Sequence, residues 1–417
     1  MVSKLDVRAT TLASVAGQDR RTVAKRLALI ALLVLAVVGR VEQVSSSLHR
    51  FGSGQPVPQT TYLPRFTEIA AAEGRPYRDV PVEYPPVSLG AIELVAGANA
   101  NETGVRLVWF ALLCDLAIVA ALALGWGPRT AVAYLLLTAP LLGYLYTSID
   151  IVSVALAAGA VALVVRGRER PGGVALAAAI LGKVWPLVLV PLLVLRRRRR
   201  ALAWSVATLT LGTLVWVWWG GVSGPLQVAT QRQSPGWEYE SVVGSVLWAT
   251  GRTLVVVNDS SRIGVAPAWA KALLLGAAVA GVAAVWYRAS RREPPELGLP
   301  AVAAVSILML SAPLLSPPYM IWLAPWAAIA WTERTGYVRW LLAALMLVSG
   351  LLVVSYGSAL ARDALWSVKA TLLLRNALLA AVPAAYLLER RVASPIPGTG
   401  TSTGEETRLK ISPSASS

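Results

Sequence analysis

Apolar runs long enough to cross a bilayer recur along this chain, and short arginine clusters separate them. They include 27-LALIALLVLAVV-38 and 265-VAPAWAKALLLGAAVAGVAAVW-286; a hydrocarbon core about 30 Å thick takes about 20 helical residues to span. Only 14% of the 417 residues are charged and 56% are hydrophobic, whereas soluble domains carry about 25% charged residues. Such a chain cannot coat a water-soluble surface. In lipid every backbone polar group must be satisfied internally, which favours helices. The expected class is an all-α polytopic membrane protein.

The net charge is +16, and its placement matters more than its size. Arg and Lys gather at the ends of apolar runs, in 20-RRTVAKR-26, 166-RGRER-170, 196-RRRRR-200, 288-RASRR-292 and 389-ERR-391. That is the pattern of cytoplasmic loops, so no nucleic-acid partner is expected. A polybasic patch for nucleic acid or anionic lipid stays open for 196–200 alone. The single cysteine, Cys114, lies within an apolar run and excludes a disulfide framework. His49, the only histidine, reads as a solvated loop residue, and one histidine excludes a His-based zinc site. No small-residue cleavage site follows the first run, which is expected to remain as an anchor. Richness in alanine, valine and arginine fits a GC-rich bacterial genome, hence a bacterial plasma membrane.

With the arginine clusters inside, the rest of the topology follows. A cytoplasmic segment, 1–23, precedes a membrane domain over 24–390 and a Pro, Ser, Thr and Gly-rich tail, 391–417, expected to be disordered. The first span, 24–41, opens an outer loop over about 42–105, in which 87-VSLGAIELVAGA-98 is too short to cross and reads as an interfacial helix. Spans follow at about 106–124, 130–147 and 149–165. Between RGRER and RRRRR lies 171-PGGVALAAAILGKVWPLVLVPLLVL-195, both of whose ends are cytoplasmic. A re-entrant pair of short helices broken near Lys183 to Pro186 satisfies both ends. A span near 201–219, a second outer loop over about 220–265, and spans near 266–287, 298–315, 319–331, 340–357 and 368–388 complete about twelve helices with both termini cytoplasmic.

Ionisable groups at membrane depth cost about 3 kcal/mol each on insertion scales and face internal cavities. Lys183, at the tip of the re-entrant pair, suits a phosphate at the outer membrane surface, or else a structural pairing with Asp150 or a helix C-terminus. Asp150, at a span mouth, is placed to orient a sugar hydroxyl, ligate a metal, answer Lys183 or cap the following helix. For Asp115 and Arg375, deeper in predicted spans, buried interhelical pairing is the expected task. In the second outer loop Glu238 and Glu240 flank Tyr239 near Arg232 and Trp237. Arginine neutralises phosphate, aromatic rings stack on sugar faces and carboxylates accept hydroxyl protons.

These segments together resemble the C-type glycosyltransferase superfamily, specifically the bacterial polyprenyl-phosphate-mannose-dependent mannosyltransferases. The resemblance rests on 76-PYRDVPVEYPP-86, 147-TSID-150, 182-GKVWPLVLVPLLVL-195, 238-EYESVVGS-245 and 316-SPPYMIWLAP-325, in that order across about residues 20–390. It implies two interfacial helices in the first outer loop, a short hairpin pair carrying a Lys, a donor anchored in the outer leaflet, and inversion at the anomeric carbon. In 77-YRDVPVEYPP-86 the prolines hold the backbone extended. Asp79 and Glu83 would then stand at the water–lipid boundary as candidate bases, with Tyr77 and Tyr84 at headgroup level. Asp79 pairing with Arg78, and Glu83 capping the helix at 87, are the structural alternatives.

One departure concerns the chemistry. Members of that family carry an acidic residue earlier in the loop, where this chain reads Gln59, Thr60 and Thr61. Neither an amide nor a hydroxyl acts as a general base at neutral pH, so Glu42, Glu68, Asp79 or Glu83 must replace it, or activity is impaired. The expected function is transfer of a hexose, mannose by resemblance, from a polyprenyl-phosphate donor to a glycolipid or polysaccharide acceptor. Lys183 and Arg232 hold the donor phosphate, Asp79 or Glu83 is the base, and Asp150, Glu240, Tyr319 and Trp322 line the sugar pocket. No cofactor is implied, a divalent metal stays open, and no metal ligands are assigned. A transporter or flippase of lipid-linked sugar and a catalytically silent family member are the alternatives.

Overall fold

In a computed structural model, residues 3–54, 62–230, 236–257, 260–292, 296–360 and 365–389 are described. The first helix, α1, runs unbroken over Ser3–Gly52, past the expected end of the first span. Nothing in 40-RVEQVSSSLHRF-51 stops a helix, and Phe51 seats against Gly104, where a Cβ would meet its ring at 2.7 Å. His49 therefore lies in the last turn of α1 and not in a loop. The first loop then carries two short helices, α2 (Leu63–Ala71) and α3 (Pro86–Val95).

The helix α4 (Ala100–Trp126) leads to α5 (Pro128–Leu137). Pro140 interrupts what was expected as one span at 130–147, so α5 gives way to a 3-10 turn and a single turn of helix, α6 (Leu142–Leu145). Two antiparallel helices follow, α7 (Ile151–Val165) and α8 (Glu169–Gly182). They pack closely at Gly172 of α8, where a Cβ would meet the Val164 side chain of α7 at 2.6 Å and the Ala160 carbonyl at 3.0 Å. Small residues of this kind let helices approach closely in lipid. The chain breaks at Lys183, turns through a 3-10 segment begun by Trp185 and Pro186, and returns as α9 (Val190–Leu195). Both ends of the pair lie beside the arginine turns, where Arg198 meets Glu169 at 3.3 Å. From there α10 (Arg199–Gly220) crosses to the other end of the molecule.

The second loop holds α11 (Ser223–Thr230), β1 (Trp237–Glu238), α12 (Val242–Ala249), β2 (Val255–Val257) and β3 (Ser260–Ile263). Its strands form a small antiparallel sheet of order β1-β3-β2, which the apolar periodicity did not foretell. The β-branched run at 255–257 suits a strand. The remaining helices are α13 (Ala268–Ser290), α14 (Gly298–Ser311), α15 (Ala324–Glu333), α16 (Tyr337–Leu360) and α17 (Leu365–Leu388), with a 3-10 segment over Pro317–Trp322 before α15. The described residues thus hold seventeen α-helices where about twelve were expected, because prolines divide spans and the loops carry helices of their own.

Five helices contain stretches long and apolar enough to cross a membrane, in α1, α4, α10, α13 and α17. They turn large apolar side chains outward; on α13, Leu273 is 68% exposed. Only a lipid solvent makes so much exposed hydrocarbon stable. The polar interior is the complement of that surface. Asp115 on α4 accepts from Arg40 Nε of α1 at 3.1 Å, from Tyr134 at 2.7 Å and from Tyr146 at 2.9 Å.

The two long loops interlock. Gln227 of α11 donates to the Tyr77 carbonyl at 2.7 Å and accepts from the Val82 N–H at 3.0 Å. Tyr77 holds a left-handed backbone with φ of 69°, a strained state for a tyrosine. Its ring is fully buried against Trp216 and Trp219. Tyr84 is buried as well, so both tyrosine rings pack against protein. The unit so formed is Met1–Leu387; a second, Leu388–Ser417, lies almost wholly outside the described residues.

Candidate active site

The break after α8 is the centre of the site. Gly182 ends the helix, its carbonyl held by the Ser88 hydroxyl of α3 at 2.6 Å. The extended backbone of Lys183 then carries its side chain off the helix axis. Lys183 Nζ lies 2.6 Å from Asp150 Oδ1, and both residues are buried. Asp150 occupies the cap position of α7 but makes no side-chain cap. Its second oxygen instead accepts from the Trp322 indole N–H at 3.0 Å. Of its sequence readings, the answer to Lys183 is made and the helix cap is not.

Aromatic rings enclose the ammonium. Lys183 Nζ lies 5.2 Å from the Tyr319 ring centre, 5.7 Å from that of Trp322 and 6.0 Å from that of Tyr84. Trp185, Trp322 and Tyr319 form one stack, with centroid spacings of 5.6 and 4.2 Å. The Pro-containing 3-10 segments on both sides place these rings, because Trp185 directly precedes Pro186, and Tyr319 and Trp322 follow Pro317 and Pro318, which fix the backbone.

Two further carboxylates approach from the second loop. Glu238 sits in β1, opposite Arg262 of β3 in the strand register, and both are buried. Burial draws the Arg262 guanidinium below its usual range, while the neighbouring Glu238 and Tyr319 oppose that shift. The turn that follows is tightly specified. Ser241 caps α12 by accepting from the Gly244 N–H at 3.1 Å and donates to the Glu238 carbonyl at 2.7 Å. A Cβ on Gly244 would meet that same carbonyl at 1.9 Å, so only glycine fits. From α17, Arg375 donates to the Glu240 carbonyl at 2.7 Å and Asn376 donates to Ser245 Oγ at 2.9 Å. Arg375 therefore pins the Glu240 turn, and Asp115 pairs with Arg40 instead.

Tyr62, just before α2, links the two halves. Its hydroxyl is hydrogen-bonded with Ser316 and feels the charges of Glu238, Asp150 and Glu240. The residue keeps 48% of its surface accessible, yet the hydroxyl end is enclosed by protein. Burial first, and Glu238 next, push the phenol up to about 12. It is a neutral donor at any physiological pH.

The structure brings together Lys183, Asp150, Tyr319 and Trp322, with Glu240 on the adjoining turn. The Asp79 carboxylate is exposed, accepts from the Arg75 N–H at 2.7 Å and shapes its own turn. Glu83 is held by Arg65 at 3.1 Å. Among the described residues neither makes a hydrogen bond or ion pair with Lys183 or Asp150. Of the other replacement acids, Glu42 is exposed on α1 and Glu68 bonds Arg65 at 2.9 Å. Arg232, with Gln59, Thr60 and Thr61, lies outside the described residues. Arg262, Glu238 as a neighbour of Tyr62, and Tyr62 itself were not singled out as site residues. The one signal for Tyr62 was its place directly after the expected acidic position. No three His, Cys, Asp or Glu side chains among the described residues gather into a metal-binding group.

A buried lysine in an aromatic cage, with carboxylates and an arginine from a second loop, is a chemical setting for a sugar bound to an anion. The chain is similar to the crystal structure of ArnT from Cupriavidus metallidurans in the apo state, at 17% identity and a TM-score of 0.45, over 87% of this chain and 77% of that one. No curated protein sequence matches it. The pattern of Glycosyltransferase family 87 matches residues 83–317. That stretch is more than half of the chain and holds Asp150, Lys183, Glu238, Glu240 and Arg262. The chain belongs to Glycosyltransferase family 87 and is a multi-pass membrane glycosyltransferase.

Proposed function

We propose that this glycosyltransferase moves a hexose, mannose in our reading, from a polyprenyl-phosphate donor to a glycolipid or polysaccharide acceptor. The reaction takes place at the outer face of a bacterial plasma membrane and inverts the anomeric carbon. The observation that carries the reading is the Lys183 ammonium held beside Asp150 within the Tyr84, Tyr319 and Trp322 rings. Lys183 neutralises the donor phosphate, and Arg232 is assigned to the same task. Tyr319, at the end of the ring stack, offers its outer face to the sugar with Trp322 behind it, and Asp150 and Glu240 bond the sugar hydroxyls.

The base is assigned to Glu238, because the carboxylates of Asp79 and Glu83 are engaged with Arg75 and Arg65. An acceptor hydroxyl attacks the anomeric carbon and its proton passes to Glu238. The bond from that carbon to the phosphate oxygen breaks, and polyprenyl phosphate leaves with the electron pair. Arg262, the cross-strand neighbour of Glu238, donates to the Gly236 carbonyl at 3.4 Å and places positive charge near that carboxylate. Charge on the leaving phosphate grows as the bond breaks, so a cation fixed at Lys183 stabilises the transition state more than the bound donor.

The test is transfer of radiolabelled mannose from polyprenyl-phosphate mannose in membranes containing the protein. Transfer that vanishes in Glu238→Gln and Lys183→Met supports the proposal. Passage of the donor across the bilayer without transfer would make the protein a lipid-linked sugar transporter, and neither outcome would make it a silent family member.

A further inference from the structure

We propose that the arginine-rich end of the molecule, remote from the active site, holds the phosphate headgroup of an anionic phospholipid in a cleft between α9 and α10. The cleft has a volume of about 580 Å³ and is lined by Leu193, Val194, Arg197, Arg199 and Leu202. A second cleft, of about 310 Å³, adjoins it and is lined in part by Arg168, Arg170 and Arg200. Such volumes match those of small-molecule sites, about 300–1,000 Å³.

Two turns at this end have the same construction but different central residues. After α7, the Gly167 N–H donates to the Val164 carbonyl and the Arg168 N–H to that of Leu163. After α9, the Arg197 N–H donates to the Val194 carbonyl and the Arg198 N–H to that of Leu193. Each is a helix stop whose central residue is left-handed, with φ of 77° at Gly167 and 53° at Arg197. Glycine adopts that conformation without strain, whereas an arginine does not. Arg197 thus occupies a backbone position that its sister turn fills with glycine, and its side chain lines the larger cleft. Strain of this kind persists where the side chain has a task.

The charges around the cleft leave that task open to an anion. Eight arginines, at 166, 168, 170 and 196–200, share these two turns with one carboxylate, Glu169. Glu169 is occupied, at 3.3 Å from both Arg198 Nη1 and the Ala201 N–H. Among the described residues Arg197, Arg199 and Arg200 have no ion pair, and all three are exposed. The occupant is argued from the apolar wall. Leu193, Val194 and Leu202 line the cleft beside the arginines, and Val194 is 57% exposed. Trp204, one turn beyond Arg200 on α10, is 44% exposed, in the position of an interfacial tryptophan. A free phosphate would use the arginines only; a phospholipid uses both, with its phosphodiester on Arg197 and Arg199 and acyl chains along Val194 and Leu202.

The experiment is thermal unfolding of the full chain in neutral detergent, titrated separately with phosphatidylglycerol, phosphatidylcholine and inorganic phosphate. Phosphatidylglycerol is expected to raise Tm and the other two to leave it unchanged. Arg199→Gln should remove more than half of that increment, measured from its own lipid-free Tm. Arg197→Gly should unfold no earlier than the wild type without lipid, because the strain is relieved, and yet lose most of the increment. The proposal is overturned if both variants keep the full increment, or if phosphatidylcholine or inorganic phosphate gives the same rise.

Discussion

Lys183 Nζ and Asp150 Oδ1 meet at 2.6 Å across 33 residues of sequence, each buried and each at the end of a helix. The pair closes the gap between α7 and the break after α8, so it sets the shape of the site as well as its charge. Removing one partner strands the other. Lys183→Met should cost about 3–5 kcal/mol of stability, the usual result of an uncompensated buried charge. The double variant Lys183→Met/Asp150→Leu should recover most of that loss, since replacing both charges by apolar groups is often neutral. It should not recover transfer. Thermal unfolding in detergent, with the mannose assay alongside, separates the two roles; equal activity in the double variant would remove Lys183 from the chemistry.

Glu238→Gln should lower the turnover rate by about 10²- to 10⁴-fold, the range for loss of a general base. The KM for the donor should change little, because the amide keeps the side chain's shape. A pH–rate profile adds a sharper readout. The wild-type rate should fall on the acid side as the base becomes protonated, and the variant should lack that limb. Asp79→Asn should behave as wild type, because its carboxylate serves the turn at Arg75.

How far the sequence reaches can be judged from these residues. The break at Lys183 was legible, because arginine clusters at both ends of a short apolar stretch require a return and Pro186 supplies it. The aromatic motif at 316–325 was legible by resemblance, although not that Tyr319 and Trp322 would stack on one another. Arg262 was not legible as a partner of Glu238, because their pairing runs through the register of β1 and β3 across an intervening helix. Asp79 and Glu83 lay in a conspicuous proline-rich stretch, but local spacing does not determine where a loop side chain points. The same limit applies to Arg40, whose partner Asp115 lies 75 residues away.

Tyr62→Phe should reduce transfer about five- to tenfold, equivalent to one hydrogen bond of about 1 kcal/mol. The sign of its titration decides the rest. A free tyrosine ionises near pH 10, but here burial and Glu238 hold the phenol protonated up to about 12. A raised acid keeps its proton longer as pH rises, so Tyr62 remains a donor throughout the working range. The pH–rate profiles of wild type and Tyr62→Phe between about pH 6 and 9 should therefore be parallel; an alkaline limb confined to the wild type would show that Tyr62 ionises.

The Arg40–Asp115 network should prove structural. Each Asp115 oxygen is satisfied, by Tyr134 at 2.7 Å and by Arg40 and Tyr146 at 3.1 and 2.9 Å. Asp115→Leu strands the Arg40 guanidinium and should cost about 3–5 kcal/mol, with transfer per folded molecule unchanged. Circular dichroism melts and activity normalised to folded protein measure both.

Gly244→Ala tests whether the position of Glu238, rather than its mere presence, matters. The added methyl would lie 1.9 Å from the Glu238 carbonyl, and the obstacle is backbone that cannot rotate away. The β1 end and the first turn of α12 must therefore separate. Overpacking of this kind costs about 1–3 kcal/mol, less than the typical stability of a domain, about 5–15 kcal/mol. The variant should still fold and insert, with the Glu238 carboxylate displaced from its place beside Arg262. Because near-attack geometry is lost with shifts of about 1 Å, the rate should fall about 10²-fold. Gly244→Ala with near wild-type turnover would show that the base lies elsewhere, whatever Glu238→Gln does.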